Sequence, residues 1–412
     1  MCGIAGIVHA NLREPVNAEL IEQMTRKLQH RGPDDFGVWV EGGVGLGHQR
    51  LSIIDLTGGH QPMAVNDEAF WVTYNGEIYN YLELRSALAE NGHRFQTQCD
   101  TEVLLQMYAA HGQDCLKGLN GMFAFGLWDV REQRLFAARD RLGIKPFYYY
   151  WDGQLFAFAS EPKALLEHPR IAAEVDRDAL EDYLNLQYCL GDKTLFKGIR
   201  RLLPGHCLSL QDGHLQVRQY WDINFANDTD FALSGFTEEL QDLLRDAVKL
   251  RLRSDVPVGA HLSGGLDSSA ISCLAAEQLP GRLQVFTCGF KDAGRYDETR
   301  YAKLVSEHIG AAYHEYFPSA QDLADTFEKL VYWLDEPVAG AAVFPQYFLS
   351  RLASENVKVV LGGQGGDELF CGYARYLVGY LESCLQRSIY GTAPMAGAVR
   401  LEDIAPNLDY LG

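Results

Sequence analysis

The sequence predicts two fold classes in tandem: an α+β half built of sheets with outer helices, then an α/β half with a doubly wound parallel sheet. Three observations carry this. Short aromatic-rich strands crowd the first two hundred residues. A polar stretch, "NFANDTDFALSG", follows them. Beyond it, continuous apolar strands alternate with amphipathic helices. A chain of 412 residues has room for two or three cores of ordinary size.

In the first half "GIAGIV" reads as a buried strand. "VGLGHQRLSIID", "AFWVTYNGEIYN", "MFAFGLWDV", "RLFAARD" and "QLFAFAS" read as further strands. "NAELIEQMTRKLQH" places Leu20, Ile21, Met24 and Leu28 on one helical face. "NYLELRSALAENG" and "DTEVLLQMYAAHG" end on Gly92 and Gly112, both suited to helix C-caps. "PGHCLSL" and "QDGHLQVRQYWD" close this part. The second half runs "TEELQDLLRDAVKLRL" (helix), "VPVGAHL" (strand), "SSAISCLAAEQLPG" (helix), "LQVFTCGF" (strand), "ETRYAKLVSEHIG" (helix) and "VKVVLGG" (strand). The expected organisation is a first domain at 2–215, a linker at 216–235 and a second domain at 236–412.

Composition narrows the function. The 36 basic and 55 acidic residues leave a net charge of −19. Such a surface repels phosphate backbones, so nucleic acid is not an expected partner. Lys249, Arg251 and Arg253 alternate in "KLRLRSD", which reads as a solvated helix end. The nine cysteines are odd in number and never spaced C-x-x-C, against a zinc site or a disulfide framework. No run approaches a membrane span, and the N-terminus lacks a signal pattern. A cytoplasmic enzyme is the expectation.

"HLSGGLDSSAIS" runs strand, glycine turn, helix. The glycines let the backbone curl around a ligand, and the helix N-terminus offers N–H groups to an anion. No Gly-Lys pair occurs anywhere, so this is not a Walker A loop. A second glycine cluster, "LGGQGGDELFCGY", also follows a strand and carries Asp367 and Glu368. Carboxylates beside a polyphosphate make sense when Mg²⁺ lies between them. "WLDEPV", with Asp335 and Glu336, is less specific and also reads as a solvated turn.

Cys2 stands directly behind Met1. Removal of Met1 would put a thiol and a free α-amine on one residue, and an amine of pKa roughly 7.7–8.0 can serve as base for that thiol. "MCGIAGI", "HRGPDD", "HQRLSIID", "YNGEIYN" and "DTEVLL" stand in order over the first hundred residues. Together they resemble class II glutamine amidotransferases, whose first domain has the N-terminal-nucleophile hydrolase fold. S-G-G-x-D-S resembles the pyrophosphate loop of ATP pyrophosphatases. Joined, the two halves resemble glutamine-dependent asparagine synthetases of the B type over essentially the whole chain.

The resemblance implies roles. Cys2 attacks the carboxamide, and Asn75 and Gly76 stabilise the oxyanion. Arg50 pairs with the glutamine carboxylate and Asp100 holds its ammonium, with Ile53 and Glu77 beside them. Leu262, Ser263, Gly264, Gly265, Asp267, Ser268, Cys288, Gly362 and Gly363 hold ATP. Asp267 and Asp367 hold Mg²⁺–pyrophosphate, and Gln364 and Tyr373 flank the acyl-adenylate. Gln364 stands where some relatives carry glutamate. The implied substrates are glutamine, aspartate and ATP, and the chain could pair as a homodimer. The alternatives are another carboxylate acceptor, as in sugar-modifying amidotransferases or β-lactam synthetase relatives, and a glutaminase-only or regulatory remnant. No lysine follows Lys358, and "APNLDYLG" reads as a chain cut inside an element. On that basis poor asparagine synthesis is expected, along with association through a stripe of Tyr376, Leu377, Tyr380, Leu381 and Cys384.

Overall fold

The computed structural model describes residues 1–224, 233–291, 294, 297–338 and 340–390. The chain forms two compact units. The first comprises Met1–Pro257 with Ser319–Pro345, the second Val258–Pro318 with Gln346–Gly412.

The first unit's strands are β1 (Gly3–His9), β2 (Asp35–Glu41), β3 (Val44–Arg50), β4 (Met63–Val65), β5 (Phe70–Ile78), β6 (Gly121–Asp129), β7 (Arg134–Arg139), β8 (Tyr148–Trp151), β9 (Leu155–Ala159), β10 (Ile199–Arg201), β11 (His206–Gln211) and β12 (His214–Gln219). They form two six-stranded antiparallel sheets, β10-β8-β9-β1-β3-β2 and β12-β11-β7-β6-β5-β4. Between the sheets lies an apolar layer of Ile4, Leu46, Ala124, Phe147, Phe156, Phe158 and Leu208. The helix Ala18–Arg26 covers the first sheet through Ile21 and Met24, which pack on Ala5 and Ile7. The helix Asp100–His111 covers the second through Val103, Leu104 and Tyr108. The result is helix, sheet, sheet, helix, as the aromatic strands and their interrupting helices predict.

Departures have local causes. "VGLGHQRLSIID" is a strand only to Arg50, because Leu51–Asp55 leave the ladder and Asp55 adopts φ 49°. Gln211–His214 is a hairpin whose central Asp212 (φ 50°) and Gly213 (φ 73°) match a primed turn. The expected linker at 216–235 is narrower: β12 reaches Gln219, a helix starts at Leu233, and 225–232 lie outside the described residues.

The helix Leu233–Arg251 groups with the first unit; of its basic end Lys249 is exposed as expected, whereas Arg251 and Arg253 are not simply solvated. Arg253 donates to Glu83 Oε2 at 2.7 Å and to the Tyr79 carbonyl at 2.6 Å, and the Arg251 guanidinium lies over the Tyr79 ring. Side chains long enough to snorkel here find a carboxylate, a carbonyl and an aromatic face instead of water.

The second unit holds β13 (Val258–His261), β14 (Gln284–Cys288), β15 (Ala312–Tyr316) and β16 (Val359–Leu361), all parallel, in the order β15-β14-β13-β16. The order reverses at β13, so β14 and β16 flank it and the crevice beyond their C-terminal ends is the ligand-binding position of such sheets. Both glycine clusters follow strands that flank this reversal. Tyr376, Leu377, Tyr380, Leu381 and Cys384 lie half-buried on the helix Ala374–Tyr390; "APNLDYLG" lies outside the described residues. Among the described residues, no helix is long and apolar enough to cross a membrane.

Candidate active site

Cys2 sits just before the β1–β3 ladder, which begins at Gly3 opposite Gln49. Its sulfur lies 3.4 Å from the Leu51 amide and 3.7 Å from the Leu51 carbonyl. Burial pushes the thiol pKa up, against the field of the chain's terminal amine. That amine, on Met1, is itself drawn down to about 5 by burial, with the charges of Lys145 and Arg31 acting in the same direction.

β5 supplies the facing groups by its two-residue period. Val72, Tyr74 and Ile78 point to the helix side. Thr73, Asn75 and Glu77 therefore share the other face, and Thr73 Oγ1 donates to the Gly47 carbonyl of the first sheet at 2.9 Å. Asn75 is 1% exposed, and its Oδ1 and Nδ2 are both buried with no hydrogen-bond partner. Such a group costs stability unless something completes it. Gly76 fits because a Cβ there would lie 2.3 Å from the Met122 carbonyl oxygen.

Two buried carboxylates complete this side. Asp100 Oδ2 accepts from Tyr74 Oη (2.8 Å) and the Ile78 amide (3.0 Å), and burial raises its pKa. Glu77 rises to about 7, through burial and then the charge of Asp100. The two carboxyls thus lie close together in a buried setting. Arg50 is 5% exposed. Its Nη1 donates to the Leu56 carbonyl (3.2 Å) and its Nη2 to those of Ile54 (3.1 Å) and Asp55 (2.6 Å). Three of its five N–H groups are thus committed to the loop after β3, both of those on Nη2 among them, leaving Nε–H and one Nη1–H on different edges of the guanidinium. Ile53 lies in that loop, its carbonyl accepting from the Asp255 amide.

Lys145, 5% exposed, escaped the sequence reading. Burial lowers its pKa, opposed by the charges of Glu77 and Cys2. It ends a turn in which the Asp140 carboxylate accepts from the amides of Phe123, Leu142, Ile144 and Lys145. "DRLGIKP" could have signalled it, since an Asp opening a glycine turn is a known cage for backbone N–H groups. Arg31 of "HRGPDD" also lies at this site, its Nε bonded to the Cys2 carbonyl.

In the second unit the first glycine loop folds onto itself. Leu262 is buried, its amide bonded to the Phe286 carbonyl. Ser263 and Ser268 hydroxyls lie 2.9 Å apart, and Ser263 Oγ accepts from the Gly265 amide. Gly264 has φ 92°. Gly265 opens the helix Leu266–Gln278 without a side-chain cap, leaving first-turn N–H groups for an anion. The second loop packs on the first: a Cβ on Gly363 would meet the Ser268 amide at 2.6 Å, and one on Gly366 would meet Asp267 Oδ2 at 2.3 Å. Asp267 is therefore brought against the turn that leads to Asp367. Tyr373 Oη donates to Glu368 Oε1 (2.9 Å), and Glu368 Oε2 accepts from the Gly365 amide (3.0 Å). Cys288 ends β14, its thiol raised to about 11 by burial. Gly362 and Gln364 are exposed. No group of three or more His, Cys, Asp or Glu side chains among the described residues could hold a metal.

"WLDEPV" is not a solvated turn. The side chains of Asp335 and Glu336 are 7% and 14% exposed and pair with Lys163 and Arg201 of the first unit.

The glutamine amidotransferase domain model matches residues 1–221, and the asparagine synthase model matches 239–407. A Methanocaldococcus jannaschii protein, provisionally named asparagine synthetase [glutamine-hydrolyzing] 2, is 39% identical over 92% of this chain and 77% of its own length. The chain belongs to the family of glutamine-hydrolysing asparagine synthetases. Asparagine synthetase [glutamine-hydrolyzing] 1 of Bacillus subtilis is 38% identical over 91% of this chain and 59% of its own, so the chain spans under two thirds of that relative. Among solved structures, a glutamine phosphoribosylpyrophosphate amidotransferase from B. subtilis aligns with 76% of this chain and 81% of its own at 17% identity and a TM-score of 0.41.

Proposed function

We propose that the first unit hydrolyses glutamine and that the second uses ATP to activate aspartate as β-aspartyl-AMP, which takes up the released ammonia to give asparagine, AMP and pyrophosphate. The observation that carries the first half is Asn75. Its unpartnered amide is buried on the face of β5 that meets the sheet carrying Cys2. With the Gly76 N–H, it would donate to the oxygen of a carboxamide attacked by Cys2. An uncommitted N–H of Arg50 would donate to the α-carboxylate, and Asp100 with Glu77 would receive the α-ammonium. Once Met1 is removed, the amine of Cys2 would stand on the same residue as the thiol, placed to take its proton.

In the second unit, the uncapped helix N-terminus and the Ser263–Ser268 turn would hold the phosphates, with Leu262, Cys288, Gly362 and Gly363 around the nucleotide and Gln364 and Tyr373 near the acyl group. Asp267 and Asp367 suit Mg²⁺. The ion prefers oxygen ligands and keeps few protein ones, so phosphate oxygens would supply the rest of its shell. Its chemistry would be to neutralise charge on the departing pyrophosphate. Incubating the chain with amide-¹⁵N glutamine, aspartate and Mg·ATP tests the whole reading. ¹⁵N-asparagine, glutamate, AMP and pyrophosphate in equal amounts support it. Glutamate alone would reduce it to a glutaminase, and label in another acceptor's amide would replace aspartate.

A further inference from the structure

The first unit contains a buried chain of charges that the proposed chemistry does not use. The Cys2 carbonyl has no ladder partner, because β1 pairs with β3 only from Gly3 onward. Arg31 Nε donates to that carbonyl at 3.0 Å, and its Nη1 reaches Glu161 Oε1 at 2.7 Å. Lys163 Nζ grips Glu161 Oε2 at 2.6 Å and Asp335 Oδ2 at 3.0 Å, and also faces the Trp333 carbonyl at 3.4 Å. His30 Nε2 adds a contact to Glu161 at 3.1 Å. The side chains of Arg31, Glu161, Lys163 and Asp335 are all 9% exposed or less. Cation, anion, cation and anion alternate outward from Cys2, so losing any one leaves a buried neighbour unbalanced.

We propose that Lys163 and Asp335 are positioning residues for the Cys2 nucleophile, acting through Glu161 and Arg31. The guanidinium fixes the plane of the Cys2–Gly3 peptide, and that plane sets the direction in which Cβ and sulfur leave the backbone. Glu161 fixes the guanidinium, but it has two oxygens and can turn. Lys163 holds the second oxygen, and Asp335 balances Lys163 so that the ammonium does not draw Glu161 away from Arg31.

A separate observation supports a fixed role for Asp335. It ends the helix Ala320–Leu334 with φ 60°, ψ −41°, a conformation non-glycine residues rarely take. The neighbouring Glu336 pins the same turn, accepting from the Leu195 amide at 2.6 Å and from Arg201 Nη2 at 3.2 Å. This turn lies outside the segment matched by the amidotransferase model and inside the one matched by the synthase model. By chain connectivity it stands between β15 and β16 of the parallel sheet. The glutaminase nucleophile would thus be held partly by the other half of the sequence.

The inference rests on Cys2 being the nucleophile, and the experiment separates the two. Full-length chains carrying Lys163→Met, Asp335→Asn, the paired Lys163→Met/Asp335→Leu, and Glu336→Gln are compared. The readouts are the iodoacetamide alkylation rate of the Cys2 peptide by mass spectrometry, kcat and KM for glutamine, and Tm. The paired variant removes a cation and an anion together, which keeps the charge balanced and the fold intact. The expected result is five- to twentyfold slower alkylation and turnover in the first three variants, with glutamine KM within twofold. Glu336→Gln, whose amide oxygen can still accept from the Leu195 amide and so keeps the turn while removing a charge outside the chain, should stay within twofold on both. Unchanged alkylation in Lys163→Met and the paired variant would overturn the proposal, as would an equal loss in Glu336→Gln. If the parent chain shows no glutaminase activity while alkylation follows the expected pattern, the relay stands and the functional reading falls.

Discussion

Asn75→Ala separates a catalytic donor from a structural one. The side chain is 1% exposed, and both its polar atoms are buried without a partner. Each such atom costs about 1–3 kcal/mol in the folded state. Truncation removes both penalties and leaves a small void, worth roughly 1 kcal/mol against the fold. The balance favours the variant by about 1–5 kcal/mol. For a unit of this size, each kcal/mol moves Tm by roughly 2–4 °C. Thermal stability should therefore hold or rise. Glutamine turnover should fall by about 10²–10³, or roughly 2.7–4 kcal/mol, the usual cost of one oxyanion donor. Differential scanning fluorimetry and a glutamate-release assay on the same preparations give both numbers. A Tm drop of more than a few degrees with turnover preserved within tenfold would refute the reasoning, and would make Asn75 a core residue whose partners form only in solution.

Arg50→Lys keeps the charge but loses the planar donors that bind the loop carbonyls and face the substrate, so glutamine KM should rise about 10–100-fold with kcat within threefold; a fall in kcat at constant KM would assign Arg50 to the transition state instead. Gly366→Ala would drive a Cβ to within 2.3 Å of Asp267 Oδ2, so aspartate-dependent pyrophosphate release should fall at least tenfold while glutaminase is unaffected; equal loss of both activities would argue for global unfolding. Glu161, held at about 2 against an ordinary 4.5 by His30, then Arg31 and Lys163, contributes stability that is complete above pH 4.5 and lost as pH falls to 2. At about 1.4 kcal/mol per pH unit the span is worth roughly 3.5 kcal/mol. Urea titrations should show Glu161→Gln well below the parent at pH 7, with the gap closing between pH 4.5 and 2; a constant gap would mean the ion pairs contribute nothing pH-linked.

Most of the first unit was legible because its signals are local. The alternation in "AFWVTYNGEIYN" already places Asn75 and Glu77 on one face, and β5 puts them there. The glycines of "HLSGGLDSS" and "LGGQGGDE" predict turns after strands, and the parallel order β14-β13-β16 brings those strands side by side. What sequence could not show is whatever depends on a distant partner. Lys249, Arg251 and Arg253 carry the pattern of a wet helix end, and only the approach of Tyr79 and Glu83 makes the last two structural. Lys145 carries no periodic signal, and its meaning comes from the charges it is buried among.

The turn at Asp335 is the sharpest case of this limit, and it bears on how the two proposed activities would share one chain. Read locally, Asp-Glu-Pro after a helix is a solvated exit, since both side chains are charged and proline bars the helix from continuing. In the fold its first carboxylate meets Lys163, 172 positions away in sequence, and its second meets Arg201, 135 away. Two buried ion pairs contribute little net stability over apolar packing of the same shape, because desolvation offsets most of the attraction. Their effect is on geometry: a charged partner in a dry site is held at one distance, whereas an apolar one can slide. A segment coming from the second half of the chain therefore docks on the first in one register, and that register ends at the carbonyl of Cys2.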